Sequence, residues 1–317
     1  MSAVAIVAAL RQRGHRVIPV GIDRDGLWYL TDADTEPLRA EGRPVALLVP
    51  DGVLRAAADE IGFDVVFPVL HGPYGEDGTI QGLFEMIGAP FVGCGVLGSS
   101  VAMDKEFAKR IAGSHGIPSA RWRVVHRAWY DADPIGTVDA ALDDLGDPVF
   151  VKPAALGSSV GISKATGQAA VKEAIDEALR HGDKAIIEEA IEGREIEVAV
   201  LEGPRASLPG EVLSAGDWYD YRSKYEDDRS AFAAPADLSV AQTADVQELA
   251  TRSFRALECR GLARIDFFLE PARGFLLNEV NTMPGFTPIS GFPKMWQASG
   301  MTYAELADEL VELALSS

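Results

Sequence analysis

Apolar residues recur along the chain in two different patterns, one typical of helices and one typical of strands. Apolar positions three or four residues apart predict helices, which we expect at residues 3–13, 137–144, 168–180, 241–257 and 303–315. Short apolar runs rich in β-branched residues predict strands, which we expect at 16–20, 45–49, 64–70, 122–125, 149–152, 185–189 and 196–201. Strands separated by helices in the first third of the chain predict a parallel α/β sheet there.

The length of 317 residues allows two or three domains with substantial cores. A glycine-dense stretch at 87–100 follows the first set of elements, and a basic helix begins near Met103. We interpret that stretch as a linker with a strand edge. The expected lobes are residues 1–101, 102–190 and 191–317, with clefts between them.

Charge and cysteine content exclude several classes of protein. Forty-eight acidic residues against 29 basic ones give a net charge of −19, which disfavours nucleic acid and anionic membranes as partners. The apolar stretch at 4–10 has seven residues, too few for a membrane span, and its positive charges follow it instead of preceding it, which argues against a signal peptide. Cys94 and Cys259 have no C-x-x-C partner, which argues against metal or disulfide frameworks and favours a reducing cytoplasm.

A pattern of oxygen-bearing side chains lies near the C-terminus. Asp266 is followed thirteen residues later by Glu279, and Asn281 comes two residues after that. Side chains at i and i+2 of a strand share a face, and a hairpin would bring Asp266 opposite them. Such ligands suit Mg²⁺ or Mn²⁺, and so sparse a set implies a phosphorylated co-substrate. A hairpin with solvated acids is the alternative, but Arg264 and the Pro-Gly turn at 284–285 favour the metal site.

Two lysines are candidates for binding the phosphates. An apolar strand ends at Lys152, and the Gly-Ser-Ser-x-Gly segment at 157–161 then offers N–H groups and hydroxyls to an anion. The lysine precedes the glycines, so the segment is not a Walker A loop, and a surface turn is the alternative interpretation. Lys105 opens a helix after the linker. Alone it could be an ordinary solvated lysine, but with Lys152 it would supply two charges to phosphates.

The apolar strand at 185–189 ends in an acidic junction that continues to residue 195. Such a junction can offer backbone groups to adenine and a carboxylate to ribose hydroxyls, although simple exposed acids would have the same sequence.

The order of these patterns resembles that of ATP-grasp carboxylate-amine ligases. The segments HGPYGEDGTIQG at 71–82, YDYRSKY at 219–225 and PGFTPIS at 284–290 further resemble the D-alanine:D-alanine ligase family. The resemblance covers the whole chain. It implies an α/β (α+β) ATP-grasp fold of three lobes, with ATP between the central and C-terminal lobes and a Rossmann-like, parallel α/β N-terminal domain.

The resemblance also implies an activity. Family members form an acyl phosphate from one D-alanine and ATP, and the amine of a second D-alanine then attacks it, giving D-alanyl-D-alanine for peptidoglycan. ATP, D-alanine and two Mg²⁺ or Mn²⁺ ions are therefore the expected ligands, and a cytoplasmic homodimer is the expected form. A ligase for D-lactate or D-serine, or a nucleotide-binding homologue without catalysis, remains an alternative.

By similarity, the roles fall on individual residues. Asp266 and Glu279 would hold one metal ion, and Glu279 and Asn281 the other, while Lys105 and Lys152 would bind α- and β-phosphates. The expected adenine and ribose contacts are Glu188, Glu189, Ala190, Ile191, Glu195 and Phe268. The expected catalytic and substrate-binding residues are Ser158, Tyr225, Arg264, Gly285, His71, Ser290 and Lys224.

Within that set, Arg264 and the backbone N–H of Gly285 would stabilise the oxyanion of the tetrahedral adduct. Ser290, with His71 near it, would bind the carboxylate of the second D-alanine. Ser158 and Tyr225 would join a hydrogen-bonded set with a glutamate from an N-terminal loop. Lys224 and Tyr225 would lie on a loop that covers the acyl phosphate.

The sequence departs from the family pattern at two places. Family members begin with a strand and a glycine-rich loop that carries the glutamate, and neither is found before the first helix. We therefore expect a natural start before Met1, or, if Met1 is the true start, a rate deficit of about 10²- to 10⁴-fold, as for loss of an acid, base or orienting group. Gly291 stands where relatives carry a larger apolar residue, which would loosen the second-substrate pocket.

Overall fold

The computed structural model describes residues 2–32, 40–48, 53–56, 59–157, 160–213 and 231–316. The described helices are α1 (Ser2–Gln12), α2 (Thr79–Met86), α3 (Val96–Met103), α4 (Lys105–Ser114), α5 (Arg127–Ala132), α6 (Pro134–Leu145), α7 (Gly167–Ala178), α8 (Val240–Ala256), α9 (Gly291–Ala298) and α10 (Tyr303–Leu315), with a 3₁₀ turn at Leu179–His181. The described strands are β1 (Val20–Ile22), β2 (Trp28–Leu30), β3 (Arg43–Leu48), β4 (Val53–Ala56), β5 (Asp59–Ile61), β6 (Trp122–His126), β7 (Val149–Pro153), β8 (Ser163–Ala165), β9 (Lys184–Glu189), β10 (Arg194–Leu201), β11 (Arg205–Ala206), β12 (Gly210–Leu213), β13 (Ala231–Ala233), β14 (Leu262–Glu270) and β15 (Gly274–Asn281).

The N-terminal sheet is antiparallel, and the prediction of a parallel sheet there is wrong. Strands β1 to β5 pair in sequence order, each antiparallel to the next. A parallel pair needs a crossover of a dozen or more residues, whereas β1 and β2 are joined by residues 23–27 alone. Helix α2 covers this sheet, with Phe84 packed near Trp28 and Leu47.

Two of the predicted N-terminal strands form little sheet structure. The run at 64–70 contributes one parallel bridge, between Val66 and Phe91, and the run at 16–20 joins the sheet only at Val20. Both runs, together with Ile6 and Leu10 of α1, line a cavity of about 1190 Å³. Apolar content marked these runs for burial, but it did not specify a hydrogen-bonding neighbour.

The central sheet has the order β6-β9-β7-β8 and is antiparallel in every pair. Its apolar face packs against α6 and α7 through Val149, Val151, Ile175 and Ile187, all fully buried. Helix α6 begins where Asp133 accepts the N–H of Gly136 and a proline occupies the first turn. The strands predicted at 122–125, 149–152 and 185–189 are confirmed within one residue at their ends.

The C-terminal sheet has the order β13-β12-β10-β14-β15, with β11 also paired to β10. Successive residues of β10 face opposite sides: Val198 and Val200 pack toward α8, while Ala199 and Leu201 pack toward α9 and α10. A capping box between Ser239 and Gln242 starts α8. The sheet is therefore covered on both faces, and its strands β14 and β15 extend toward the central sheet.

The chain's first and last helices pack together. Ile6 and Leu10 of α1 share a buried cluster with Leu306 and Leu310 of α10. The stretch at 87–100, predicted as a linker, contains the start of α3, so it is more regular than expected. Of the helices that the structure describes, none has the length and apolar character to span a membrane.

Candidate active site

The hairpin of β14 and β15 brings the predicted metal ligands together. Its register places Asp266 opposite Glu279 and Arg264 opposite Asn281, with a bulge after Asp266. Asn281 Nδ2 lies 3.0 Å from Asp266 Oδ2 and 3.3 Å from Glu279 Oε1. The two carboxyl groups and the amide therefore form one contiguous group.

This group has the donor chemistry of a Mg²⁺ or Mn²⁺ site. Arg264 donates two hydrogen bonds of 2.7 Å to the buried carboxylate of Asp266, and rotating the Asn281 amide would turn its oxygen toward the same side. Within the described residues, no three His, Cys, Asp or Glu side chains gather as a metal site. Metal binding here would thus depend on the amide and on ligands such as water or phosphate.

A second charged cluster joins strands β7 and β9 of the central sheet to helix α4. Glu188 is paired with Lys109 at 2.8 Å and with Lys152 at 2.6 Å, and all three residues are buried. Burial raises the pKa of Glu188, but the two ammonium groups outweigh it and bring the pKa down to about 2. Lys152 also donates to Asn278 Oδ1 at 3.3 Å, so the cluster connects the central sheet to β15.

Lys105 lies close to the predicted metal ligand Glu279. Its Nζ donates to the carbonyl of Leu156 at 2.6 Å and is 3.8 Å from Glu279 Oε2. Burial lowers the pKa of Lys105, while Glu279 opposes that shift. The structure thus places Lys105 beside the hairpin and Lys152 beside Glu188.

The sequence prediction missed Lys109. It lies one helical turn after Lys105 on α4, and its Nζ is 3.5 Å from the carbonyl of Leu277 as well as paired with Glu188. Residues four apart share a helix face, so the spacing of the two lysines was a signal that could have identified it.

Two of the predicted adenine contacts, Glu188 and Glu189, pair with basic side chains of the protein. Glu188 faces the lysines, and Glu189 accepts hydrogen bonds from Arg121 and Arg273 at 2.7 to 2.9 Å. Ala190 and Ile191 lie in the connection between β9 and β10. Glu195 and Phe268 are opposite each other on β10 and β14.

The predicted substrate residues His71, Arg264, Gly285 and Ser290 line the large cavity. His71 Nδ1 is 3.0 Å from the carbonyl of Met283, and burial lowers its pKa, which favours the neutral imidazole. Ser290 Oγ is 2.7 Å from Thr287 Oγ1 and accepts the N–H of Thr287 at 3.1 Å. These contacts fix the 283–290 turn at the cavity wall.

Three predicted residues, Ser158, Lys224 and Tyr225, lie outside the described residues. Two acids that the prediction did not assign are close to the predicted site. Glu76 lines the cavity, and Glu197 Oε1 lies 3.4 Å from Arg264 Nε. The HGPYGEDG segment containing Glu76 was noted only for its resemblance to the family.

Gly291 occupies a position with little free space. A Cβ atom there would lie 2.7 Å from Glu197 Oε2 and 2.9 Å from the ring of Phe232. We expect Gly291→Ala to lower the free energy of unfolding by about 1–3 kcal/mol, as overpacking does. Urea denaturation would measure it, with Gly182→Ala as control because a Cβ at Gly182 meets nothing within 4 Å. An unchanged unfolding free energy for Gly291→Ala would contradict this expectation.

Two antiparallel sheets meeting at buried lysines, next to a hairpin with an Asp…Glu-x-Asn group, define an ATP-grasp protein. The family models described as "D-ala D-ala ligase N-terminus" and "D-ala D-ala ligase C-terminus" match residues 1–94 and 111–312. The chain belongs to the D-alanine–D-alanine ligase family.

Individual relatives agree with this assignment. The chain is 43% identical to a D-alanine–D-alanine ligase of Streptomyces coelicolor over 99% of this chain and 88% of the relative. The solved D-alanine–D-alanine ligase of Coxiella burnetii superposes with a TM-score of 0.88 at 34% identity, covering 99% of this chain and 88% of that one. The D-Ala:D-Ser ligase VanG of Enterococcus faecalis gives 0.87 at 33%, covering 99% and 94%. The predicted ATP-grasp fold and family are confirmed.

Proposed function

We propose that the chain joins two D-alanine molecules to D-alanyl-D-alanine, using ATP and passing through a D-alanyl phosphate. The observation that carries the proposal is the contiguous set of Asp266, Glu279 and Asn281 beside Lys105. Glu279 and Asn281 of this set line the cavity that Gly285 and Ser290 also line. Names of close relatives support the same substrates.

In this proposal the residues divide between the two ends of the site. Two Mg²⁺ or Mn²⁺ ions on Asp266, Glu279 and Asn281 would supply charge neutralisation to the phosphates. Lys105 and Lys152 would bind phosphate oxygens, and Arg264 with the Gly285 N–H would stabilise the oxyanion.

At the substrate end, His71 and Ser290 would hold the second D-alanine, and Ser158, Lys224 and Tyr225 would close the site. The other nucleotide contacts keep their proposed roles at Glu195, Phe268 and the 188–191 junction. We also propose lobes at residues 1–101, 102–190 and 191–317, with this site between them, and a cytoplasmic homodimer, as the family resemblance implies.

A coupled assay of ADP release tests the proposal. We expect release to require D-alanine and a divalent cation, and D-alanyl-D-alanine to be the product identified by mass spectrometry. D-lactate and D-serine are offered as second substrates in parallel reactions, and efficient use of either would overturn the D-alanine assignment. Binding of ATP without any D-alanine-dependent ADP release would instead identify a nucleotide-binding homologue.

A further inference from the structure

A ring of contacts surrounds the start of α4, where Lys105 is the first helical residue. The backbone N–H of Lys105 donates to the carbonyl of Ala154 at 2.9 Å, and the N–H of Ala154 donates to the carbonyl of Lys184 at 3.1 Å. On the other side, the Lys184 ammonium is 2.5 Å from the carboxylate of Asp104, which directly precedes Lys105. Lys184 therefore reaches the start of α4 by two routes, through its backbone and Ala154 and through its side chain and Asp104.

Asp104 connects this ring to the helix backbone. Its Oδ1 accepts the N–H groups of Glu106 and Phe107 at 3.0 and 3.2 Å, so it caps the first turn of α4. Its Oδ2 is the atom that faces Lys184. One carboxylate oxygen thus fixes the first turn of the helix, and the other ties that turn to β9, the strand that Lys184 begins.

The ammonium of Lys184 has two further contacts that hold it in this position. It donates to Glu106 at 2.8 Å and lies 4.7 Å from the centroid of the Phe107 ring. The side chains of Lys184 and Asp104 are only 17% and 20% exposed, so solvent and salt screen their attraction less than that of a surface ion pair. Removing the ammonium would leave Asp104 and Glu106 without the cation that they share.

The position of the first turn determines where the Lys105 ammonium lies. The side chain of Lys105 is buried, and its Nζ is 2.6 Å from the carbonyl of Leu156 and 3.8 Å from Glu279. Because Lys105 is the first residue of α4, a displacement of that turn would move its Cα and its ammonium together. A misplacement of about 1 Å can cost about 100-fold in an active site.

We propose that Lys184 is a positioning residue for the phosphate-binding site. Through Asp104 it holds the first turn of α4, and with it the ammonium of Lys105, against the segment at 154–156. The inference rests on the proposed function, in which Lys105 binds a phosphate of ATP. Lys184 acts through Lys105 and not on the nucleotide itself, so its loss weakens nucleotide binding and leaves D-alanine binding unchanged.

Lys184→Met tests this role, since methionine keeps most of the length of the side chain but removes the charge. Titration calorimetry with Mg²⁺ and a non-hydrolysable ATP analogue would measure nucleotide affinity. We expect binding to be about 5- to 50-fold weaker, within the range of coupling in one salt-bridge network. In a Lys105→Met background the same change should have less than about a twofold effect, because the side chain that Lys184 positions is gone. Lys172→Met is the control, since Lys172 is an exposed lysine paired with Asp176 on α7.

An equal loss of affinity in both backgrounds would overturn the proposal and leave Lys184 a purely structural role. Unchanged affinity of Lys184→Met in the parental background would overturn it as well. Lys184→Arg, which restores the charge, should recover part of the affinity. Asp104→Asn, which keeps a capping oxygen but loses the ion pair, should reproduce the effect of Lys184→Met.

Thermal unfolding of each variant checks the fold, and D-alanine affinity of the Lys184 variants should stay within about twofold of the parent, as for independent sites. A loss of D-alanine affinity equal to the loss of nucleotide affinity would contradict a role confined to Lys105. A parent chain that binds the analogue but releases no ADP with D-alanine would refute the proposed function while leaving this binding test intact.

Discussion

Replacing Glu279 by glutamine is expected to reduce D-alanine-dependent ADP release by about 1000-fold or more. Glu279 is opposite Asp266, within 3.3 Å of the Asn281 amide and 3.8 Å from Lys105, so it is the shared member of the proposed metal set. A catalytic metal ion contributes several kcal/mol of transition-state stabilisation, and each 1.36 kcal/mol is a factor of ten in rate. The shape of the side chain is kept, so the loss would come from the charge.

Steady-state kinetics over a range of Mg²⁺ concentrations would measure this effect, with the metal requirement of Glu279→Gln shifted to higher concentration. Glu270→Gln is the control on the same hairpin, because Glu270 is paired with Arg273 at the far end of β14. Near-parental turnover of Glu279→Gln at the parental Mg²⁺ requirement would remove this glutamate from the proposed metal set.

Glu188→Gln is expected to destabilise the nucleotide-free protein by about 3–5 kcal/mol, the usual cost of removing one partner from a buried ion pair. Lys109 and Lys152 would both lose their carboxylate and remain buried. Urea denaturation at neutral pH would measure the free energy of unfolding. Adding ATP should reduce the difference from the parent, because phosphates would supply the missing negative charge.

The pKa of Glu188 determines how the stabilising contribution of this side chain should change with pH. The pKa of Glu188 is depressed from 4.5 to about 2 by the two lysines, acting against burial. Its stabilising contribution is therefore complete above about pH 4.5, and it is lost as the pH falls toward 2. The difference between Glu188→Gln and the parent should shrink over that interval, with the exposed Glu192→Gln showing no such trend. A difference that stays constant with pH would contradict the role assigned to the lysine pairs.

The elements that the sequence predicted well are those determined by local patterns. Helix α10 was predicted with the bounds that the structure has, and the strands of the central sheet within one residue. The hairpin of β14 and β15 closes over residues 271–273 only, so its i, i+2 spacing was enough to place Glu279 and Asn281 on one face. Chemistry carried by neighbouring residues was thus accessible from the sequence.

The features that were missed involve residues far apart in the chain. Lys109 of α4, a helix packed against β15, meets Glu188 of β9, and Gly291 meets Glu197 through the packing of α9 on β10. Cys94 and Cys259, which show no pairing motif, lie in the same buried cluster, where the Cys94 thiol together with burial raises the pKa of Cys259. No periodicity in the sequence encodes such encounters.

By itself, the sequence determined the mixed α/β class, the helices with a clear apolar face and the presence of an Asp…Glu-x-Asn hairpin. Only the tertiary structure decided that the N-terminal strands pair as an antiparallel sheet, that Glu188 is paired with two lysines, and that Glu76 lines the cavity. The physical reason is that burial and hydrogen-bond capacity are properties of single residues and short segments. The partner that satisfies a buried charge or a strand edge is fixed by how distant segments pack.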